Sequence, residues 1–446
     1  MTMQLDDTKV NEDQAFGSIE SDLMQMNLQV SEQADLSVDL QSAFESTLYL
    51  NQIKVSVESL NTAIAQNSAT FKIITQALNK ANEKVGIESY TLGLPKGVSL
   101  ESDEVKIDKT LALEQIDSSL KRIWQAIVNS IKQAVKSVIE FFKNLFNINK
   151  RVNAEATELL GTYKNQKVLS IGHDTFKTSA ASTEDYDSEQ KPSIGLMTIR
   201  YLFSDKTDAP TLMRNYSNLE KLSNDFNDKI VLIESMVETA TRIIKAFDDH
   251  TSLTGVSFPV ITKGLTAVKE TGYISNHYTK EFISDELPGG YALKVQGVPA
   301  DKVFKGLDGI VAIGKTSIGI TKYPGKEANA DFKGIPVLNQ HTAIALLEKT
   351  ITITHILDTL QEKEKKLETQ LTHFASALEG FTYYKDPDSV PDSDKISVTH
   401  IKAMATALNS LGTHGVSKVI SHVLRTSKAV SDYCRLSTKQ WVMAKG

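Results

Sequence analysis

Glycine and proline are placed so unevenly that they decide most of the architecture: twelve of the 23 glycines and five of the ten prolines fall in residues 251–338. Glycine breaks helices through backbone freedom and proline through its missing N–H and its ring, so long helices are confined to the flanking segments. Residues 14–85 carry Leu, Ile and Val at spacings of three and four and read as helical up to Gly86. A second helical block runs from about Leu111 to Leu160, loosening near Asn147–Lys150. Met213–Phe247 reads as one long amphipathic helix, with Asp208 and Pro210 as start signals. Helical spacing returns over Thr342–Phe381 and over Ile396–Trp441, the last stretch with a break at Gly412 or Gly415. Inside the glycine-rich segment, the runs YALKV (291–295), GIVAI (309–313) and SIGITKY (317–323) are bounded by Gly and Pro as strands are. The expected fold is mainly α, α+β overall: long amphipathic helices with a small β-rich insert at about 251–338. The expected organisation is an acidic segment over 1–45, a helical region over 46–165, a polar linker over 166–193 and a helical domain over 194–446 that carries the insert.

With 41% apolar and 23% charged residues among 446, the chain can bury a real core. Cys434 is the single cysteine, so neither a disulfide framework nor a cysteine-rich metal site can form within one chain. No run approaches eighteen uncharged apolar residues, and the N-terminus is acidic where a secretory signal would be basic and then apolar. A reducing cytoplasm is the expected place of synthesis.

Charge is unevenly spread. Residues 1–45 hold ten acidic side chains and one basic one, a net −9, while the remaining chain carries +3 and the whole −6. Such a segment is either a solvated terminus or a removable, masking one. In residues 1–120, eight of ten glutamates have Ser, Ala or Gly two positions earlier, against five of seventeen in the rest. A protease reading a small residue at its third subsite and Glu at its first would find repeated sites here, with Glu20, Glu45, Glu58 and Glu101 as candidate cleavage positions. Helix physics does not demand that spacing, and chance is the competing explanation.

Gly309–Thr316 fits the letters of a phosphate-binding loop, G-x-x-x-x-G-K-[ST]. Its mechanics are wrong: that loop must curl its backbone N–H groups towards phosphate and start a helix at the lysine, whereas Ile310, Val311, Ala312 and Ile313 are β-formers and SIGITKYPG cannot supply the helix. A strand with a turn near Gly314 and Lys315 is expected instead. The nine histidines show no paired-ligand spacing, and no nucleophile, carboxylate pair or kinase signature is present. The sequence therefore assigns no catalytic residue, no cofactor and no metal, and the expectation is a protein that is not an enzyme.

The most regular apolar stripe is Leu120, Ile123, Trp124, Ile127, Val128, Ile131, Val135, Val138, Ile139, Phe142, Leu145 and Phe146. It makes one helical face, and Lys121, Arg122, Lys132, Lys136, Lys143 and Lys150 against Glu140 give the span 121–150 a net +5. Basic amphipathic helices with Trp and Phe can lie on membranes, although most such stripes in soluble proteins simply face a core.

Taken together, the chain resembles the internal head proteins, or virion structural proteins, of large tailed bacteriophages. The acidic, small-x-Glu-rich N-terminus looks like a propeptide cut by the phage prohead protease. The segment SLKRIWQAIVNSIKQAVKSVIEFFKNLF (119–146) is similar to the family's tryptophan helix with spaced lysines, and LPGGYALKVQGVP (287–299) to its short strand after a Pro-Gly turn. Helical segments at 345–371 and 416–441 extend the likeness over most of the chain. The resemblance implies a structural protein of the capsid interior, made in the bacterial host cytoplasm, with the prohead protease and other capsid-interior or scaffold proteins as partners. A cut after Glu45 or Glu58 would leave +3, and one after Glu101 +2, a balance that tolerates concentrated phosphate better than an acidic one does. Without Lys/Arg runs, contact with packaged DNA is expected to be weak, non-specific and salt-sensitive. Two other readings stand beside it: a membrane-active or ejected virion protein acting through helix 119–147, and a nucleotide-driven enzyme built on Gly314, Lys315 and Thr316.

Overall fold

The computed structural model describes residues 7–59, 64–65, 69–83, 106–107, 109–172, 174–176, 199–205, 208–248, 256–274, 277–299, 305–326, 335–381 and 398–443. Helix α1 (Asp7–Glu58) is followed by β1 (Ile64–Ala65), α2 (Ala69–Glu83), β2 (Lys106–Ile107) and the 57-residue α3 (Lys109–Asn165). The helical stretch expected over 14–85 holds two helices, the first ending at Glu58. The expected loosening at Asn147–Lys150 is absent, because the polar residues there are paired rather than solvated. Asn149 is fully buried and its amide donates to Thr354 O and Asp358 Oδ1, each at 2.8 Å, so the helix passes through it unbroken.

Strands β3 (Val168–Ile171) and β4 (Thr175–Phe176) occupy the start of the segment read as a polar linker, and residues 177–193 lie outside the described residues. Helix α4 (Ala209–Asp248) starts where Asp208 and Pro210 indicated: Asp208 Oδ1 accepts from Thr211 N at 2.7 Å, satisfying a backbone donor that the first turn leaves open. Then come β5 (Thr266–Ile274), β6 (His277–Ile283), β7 (Tyr291–Gly297), α5 (Gly306–Gly314) and β8 (Ser317–Lys322). The four strands form one antiparallel sheet in the order β5-β6-β7-β8, with Leu293 opposite Ile320 and Val295 opposite Ile318. The strand expected over 309–313 is α5 instead. Its apolar run Ile310–Ile313 has no exposed member, with Ile310 at 0% and Ile313 at 2% exposure, and short apolar runs suit helix and strand equally. Gly314 allows close packing, since a Cβ there would stand 2.8 Å from Ala403 Cβ.

The chain closes with β9 (Ile335–Pro336), α6 (Gln340–Asp358), α7 (Leu360–Gly380), α8 (Val398–Ser410), a π-helical turn (Leu411–Gly415), α9 (Val416–Thr438) and β10 (Trp441–Met443). The helical spacing expected over 342–381 is realised as two helices that meet at Thr359. The break expected at Gly412 or Gly415 is the π turn, which contains both. There Gly415 lies so close to β8 that a Cβ would meet Ile318 Cγ2 at 2.4 Å, and Gly412 faces Leu371. Trp441, expected in the last helix, sits in β10, which pairs with β3.

Helix α3 organises the body. It packs against α1 on one side and against α6, α7 and α9 on others, while α4 covers α6 and α7. Its apolar stripe explains this: Leu120, Ile123, Ile127, Val128, Ile131, Phe141 and Leu145 are all at 0% exposure and belong to one continuous core. Burial of each such side chain contributes roughly 1.5–3 kcal/mol before chain entropy is set against it.

Candidate functional site

The acidic segment is built into the fold. Helix α1 buries Leu23, Met26, Leu40, Phe44, Leu50 and Val57 and runs antiparallel along α3. Asp22 pairs with Arg151, the Gln33 amide donates to Ser137 Oγ at 3.2 Å, and Lys54 Nζ stands 2.9 Å from Asp117 Oδ1. Most exposed charges along α1 are acidic, among them Asp35, Asp39 and Glu45, and they ride on the outer side of this seam.

The four candidate cleavage positions meet different surroundings. Glu20 lies within α1, but its side chain is outside the described residues, and Glu101 is outside them altogether. Glu45 is exposed, yet Ala43 and Phe44 before it are 5% and 1% exposed, and Phe44 meets Trp124 edge to face at a centroid distance of 5.9 Å. Glu58 is the last residue of α1, with a side chain 46% exposed and 3.9 Å from Lys54. Ser56 and Ser59 around it are exposed too, and only Val57 is buried.

Trp124 is core rather than surface. Its indole Nε1–H donates to Leu378 O at 2.8 Å, and Phe381 packs against it at 5.6 Å, so the stripe expected on α3 is occupied by α1 and α7. Membrane contact through that face would require α3 to leave the core, and among the described residues no helix is long and apolar enough to cross a membrane. The opposite face is basic and exposed: Lys121, Arg122, Lys132, Lys136, Lys143 and Lys150 all reach water. Lys132 is partly neutralised by Glu379 at 2.7 Å. Lys143 acts on Glu364 of α7, whose carboxyl is pushed up to about 7, mainly by burial and further by Glu368, against the pull of Lys365 and Lys143.

Gly309–Thr316 has the reverse order of a phosphate loop. Helix α5 ends at Gly314, and Lys315 and Thr316 lead into a strand, with the Thr316 hydroxyl donating to Ala312 O at 2.9 Å. No helix starts at Lys315, as a phosphate loop requires. Cys434 is buried and its thiol is pushed up by burial and by Asp432, which leaves it a poor nucleophile. Among the described residues no group of His, Cys, Asp and Glu is arranged to hold a metal ion.

One cluster escaped the sequence reading. Lys428, 0% exposed, pairs with Asp432 one turn later and lies 3.4 Å from Glu155 Oε1 of α3, which Arg435 also reaches. Burial raises the Asp432 carboxyl to about 6 against the pull of Lys428. The network joins α3 to α9, and its only trace in the sequence is the spacing of Lys428, Asp432 and Arg435 along one helical face.

No curated protein and no solved structure matches the chain. The sequence model of one family, described as phiKZ-like phage internal head proteins, matches residues 19–436. That span takes in α1 from Ile19 onward, the tryptophan helix, the sheet and α9 nearly to its end, and the family's members are structural proteins of the capsid interior. The chain belongs to the family of phiKZ-like phage internal head proteins.

Proposed function

We propose that this internal head protein is made in the host cytoplasm as a precursor and is cut after Glu58 by the phage prohead protease during head maturation. The observation that carries the choice of site is the end of α1: Ser56 and Glu58 are exposed, and the regular helix stops at Glu58. Proteases take their substrates extended, and helix ends open at lower cost than helix interiors. A cut after Glu45 would demand that buried Ala43 and Phe44 leave the core beside Trp124.

Release of the cut segment 1–58 from the body would leave 47 basic and 44 acidic side chains, a net +3 suited to a compartment crowded with phosphate. The basic face of α3 supplies weak, non-specific contact with packaged DNA, while the remaining surface meets other capsid-interior or scaffold proteins. Intact-mass and N-terminal analysis of the protein from purified virions tests the reading, with Ser59 as the expected first residue. A first residue of Ser46 or Ser102 would overturn the choice of site, and an uncut N-terminus would overturn the precursor reading.

A further inference from the structure

A cavity of about 180 Å³ lies where α9 meets α1, the edge of the sheet and the turn at 199–205. Residues Lys418, Ser421, His422, Arg425 and Thr426 recur at helical spacing and give the cavity one wall from a single face of α9. Tyr291 of β7, Ile320 of β8 and Tyr201 form the opposite wall, and Asn27 and Val30 of α1 close one side.

The charge of this lining is one-sided. It contains two permanent cations and no carboxylate, and among the described residues Lys418 and Arg425 have no acidic partner. Arg425 is held flat, its guanidinium carbon 3.7 Å from the centre of the Tyr201 ring, which leaves its N–H edge free to fork onto oxygen. Burial and the Arg425 charge push the His422 imidazole down to about 4, so it is neutral at pH 7. Its Nε2 is buried with no hydrogen-bond partner, and its ring meets Tyr291 edge to face at 5.1 Å.

The walls are set in advance. Gly289 has φ 77° and its N–H donates to Leu202 O at 3.0 Å, while a Cβ on it would fall 2.2 Å from Tyr201 O. The Pro-Gly-Gly turn before β7 is therefore what admits the Tyr201 backbone to its place. Across the cavity, Ser421 Oγ donates to Asn27 Oδ1 at 3.1 Å and ties α9 to α1.

We infer that this cavity is a binding site for a dianionic phosphate, either inorganic phosphate or the phosphate of a small monoester. Two cations are matched by a dianion, whereas a carboxylate or a DNA phosphodiester would leave one uncompensated. The cavity is smaller than the roughly 300–1,000 Å³ of sites for drug-sized ligands, which suits a phosphate with little attached to it. Lys418 supplies a mobile point charge, Arg425 a fixed fork, and His422 a neutral hydrogen-bonding nitrogen. Because Asn27 and Val30 form one side, the complete site belongs to the protein with α1 docked, whether or not the chain has been cut after Glu58.

Calorimetric titration of the full-length protein at pH 8 with inorganic phosphate, AMP and acetate tests the inference. Phosphate binding tighter than acetate binding is expected, with about a tenfold loss in Arg425→Gln and in Lys418→Gln, as for the loss of a hydrogen bond to a charged group. Lys136→Gln, on the basic face of α3, should bind as the wild type does. AMP binding tighter than phosphate would identify a monoester as the occupant; phosphate binding as tight as AMP or tighter would identify the free ion. Lys418 is exposed, so its variant should keep the wild-type melting temperature and separate loss of the site from loss of the fold. Equal affinity for acetate and phosphate, or unchanged phosphate affinity in both variants at wild-type melting temperature, would overturn the proposal.

Discussion

Trp124 ties three helices together through one side chain. Its ring separates Phe44 of α1 from Phe381 after α7, and its N–H satisfies the Leu378 carbonyl near the end of α7. Trp124→Ala should therefore destabilise the protein by roughly 3–5 kcal/mol in denaturant unfolding, the range for a large buried aromatic. Trp124→Phe keeps most of the packing and loses the indole hydrogen bond to Leu378 O, which retains the Phe381 N–H at 3.3 Å, and should cost about 0.5–1.5 kcal/mol. Glu364 makes a prediction of opposite sign. Its carboxyl is raised to about 7 in the folded chain from an ordinary 4.5, so folding disfavours its charged form. That penalty is full above pH 7 and fades as pH falls towards 4.5. Glu364→Gln should therefore stabilise the protein at pH 8 by on the order of 1–3 kcal/mol and do little near pH 4.5. A gain of the same size at both pH values would show that the carboxylate is not the source.

At the scale of the element, α1 is the test case, since it carries the acidic segment and is also a structural wall. Nine apolar side chains from Ile19 to Val57 are buried along it, and its contacts with α3 extend from Asp22 to Lys54. After a cut at Glu58, α1 is expected to stay docked as a separate fragment. Size-exclusion chromatography of the cut protein should show both pieces in one peak until denaturant is added. Residues 59–446 expressed without α1 should melt well below the full chain, because the α1 side of α3 would face water. Much of its partner α3 was legible beforehand, in physical terms. The stripe from Leu120 to Phe146 has a period of 3.6, which only a helix with one buried face satisfies. What stayed hidden depends on partners far away in the chain. Asn149 looked like a weak point until Thr354 and Asp358 were seen beside it. Ile310 and Ile313 looked like strand residues because a short run of four apolar residues bounded by glycines carries no period that distinguishes helix from strand. The phosphate cavity was similarly invisible, since Tyr201, Tyr291 and Arg425 meet only through the tertiary fold.

For the whole molecule, the change from −6 to +3 requires that α1 leave the body, because cleavage alone keeps every charge in place while the fragment is docked. Docked α1 also sets the exposed acids Asp35, Asp39 and Glu45 along the flank of α3, whose exposed lysines form a basic face. Two states of one chain should therefore differ in their response to DNA. With α1 in place, the few available cations, Lys132 already held by Glu379, should give binding detectable only at low salt. Once α1 is stripped away, affinity should rise and the dependence of log K on log salt should steepen, since more phosphate contacts release more counterions. Fluorescence anisotropy with a labelled duplex from 25 to 200 mM salt measures both quantities. Lys121→Gln, Lys136→Gln, Lys143→Gln and Lys150→Gln combined should flatten the slope by about 3–4, at roughly 0.9 per phosphate contact. An unchanged slope in that variant would place DNA contact on another surface of the protein.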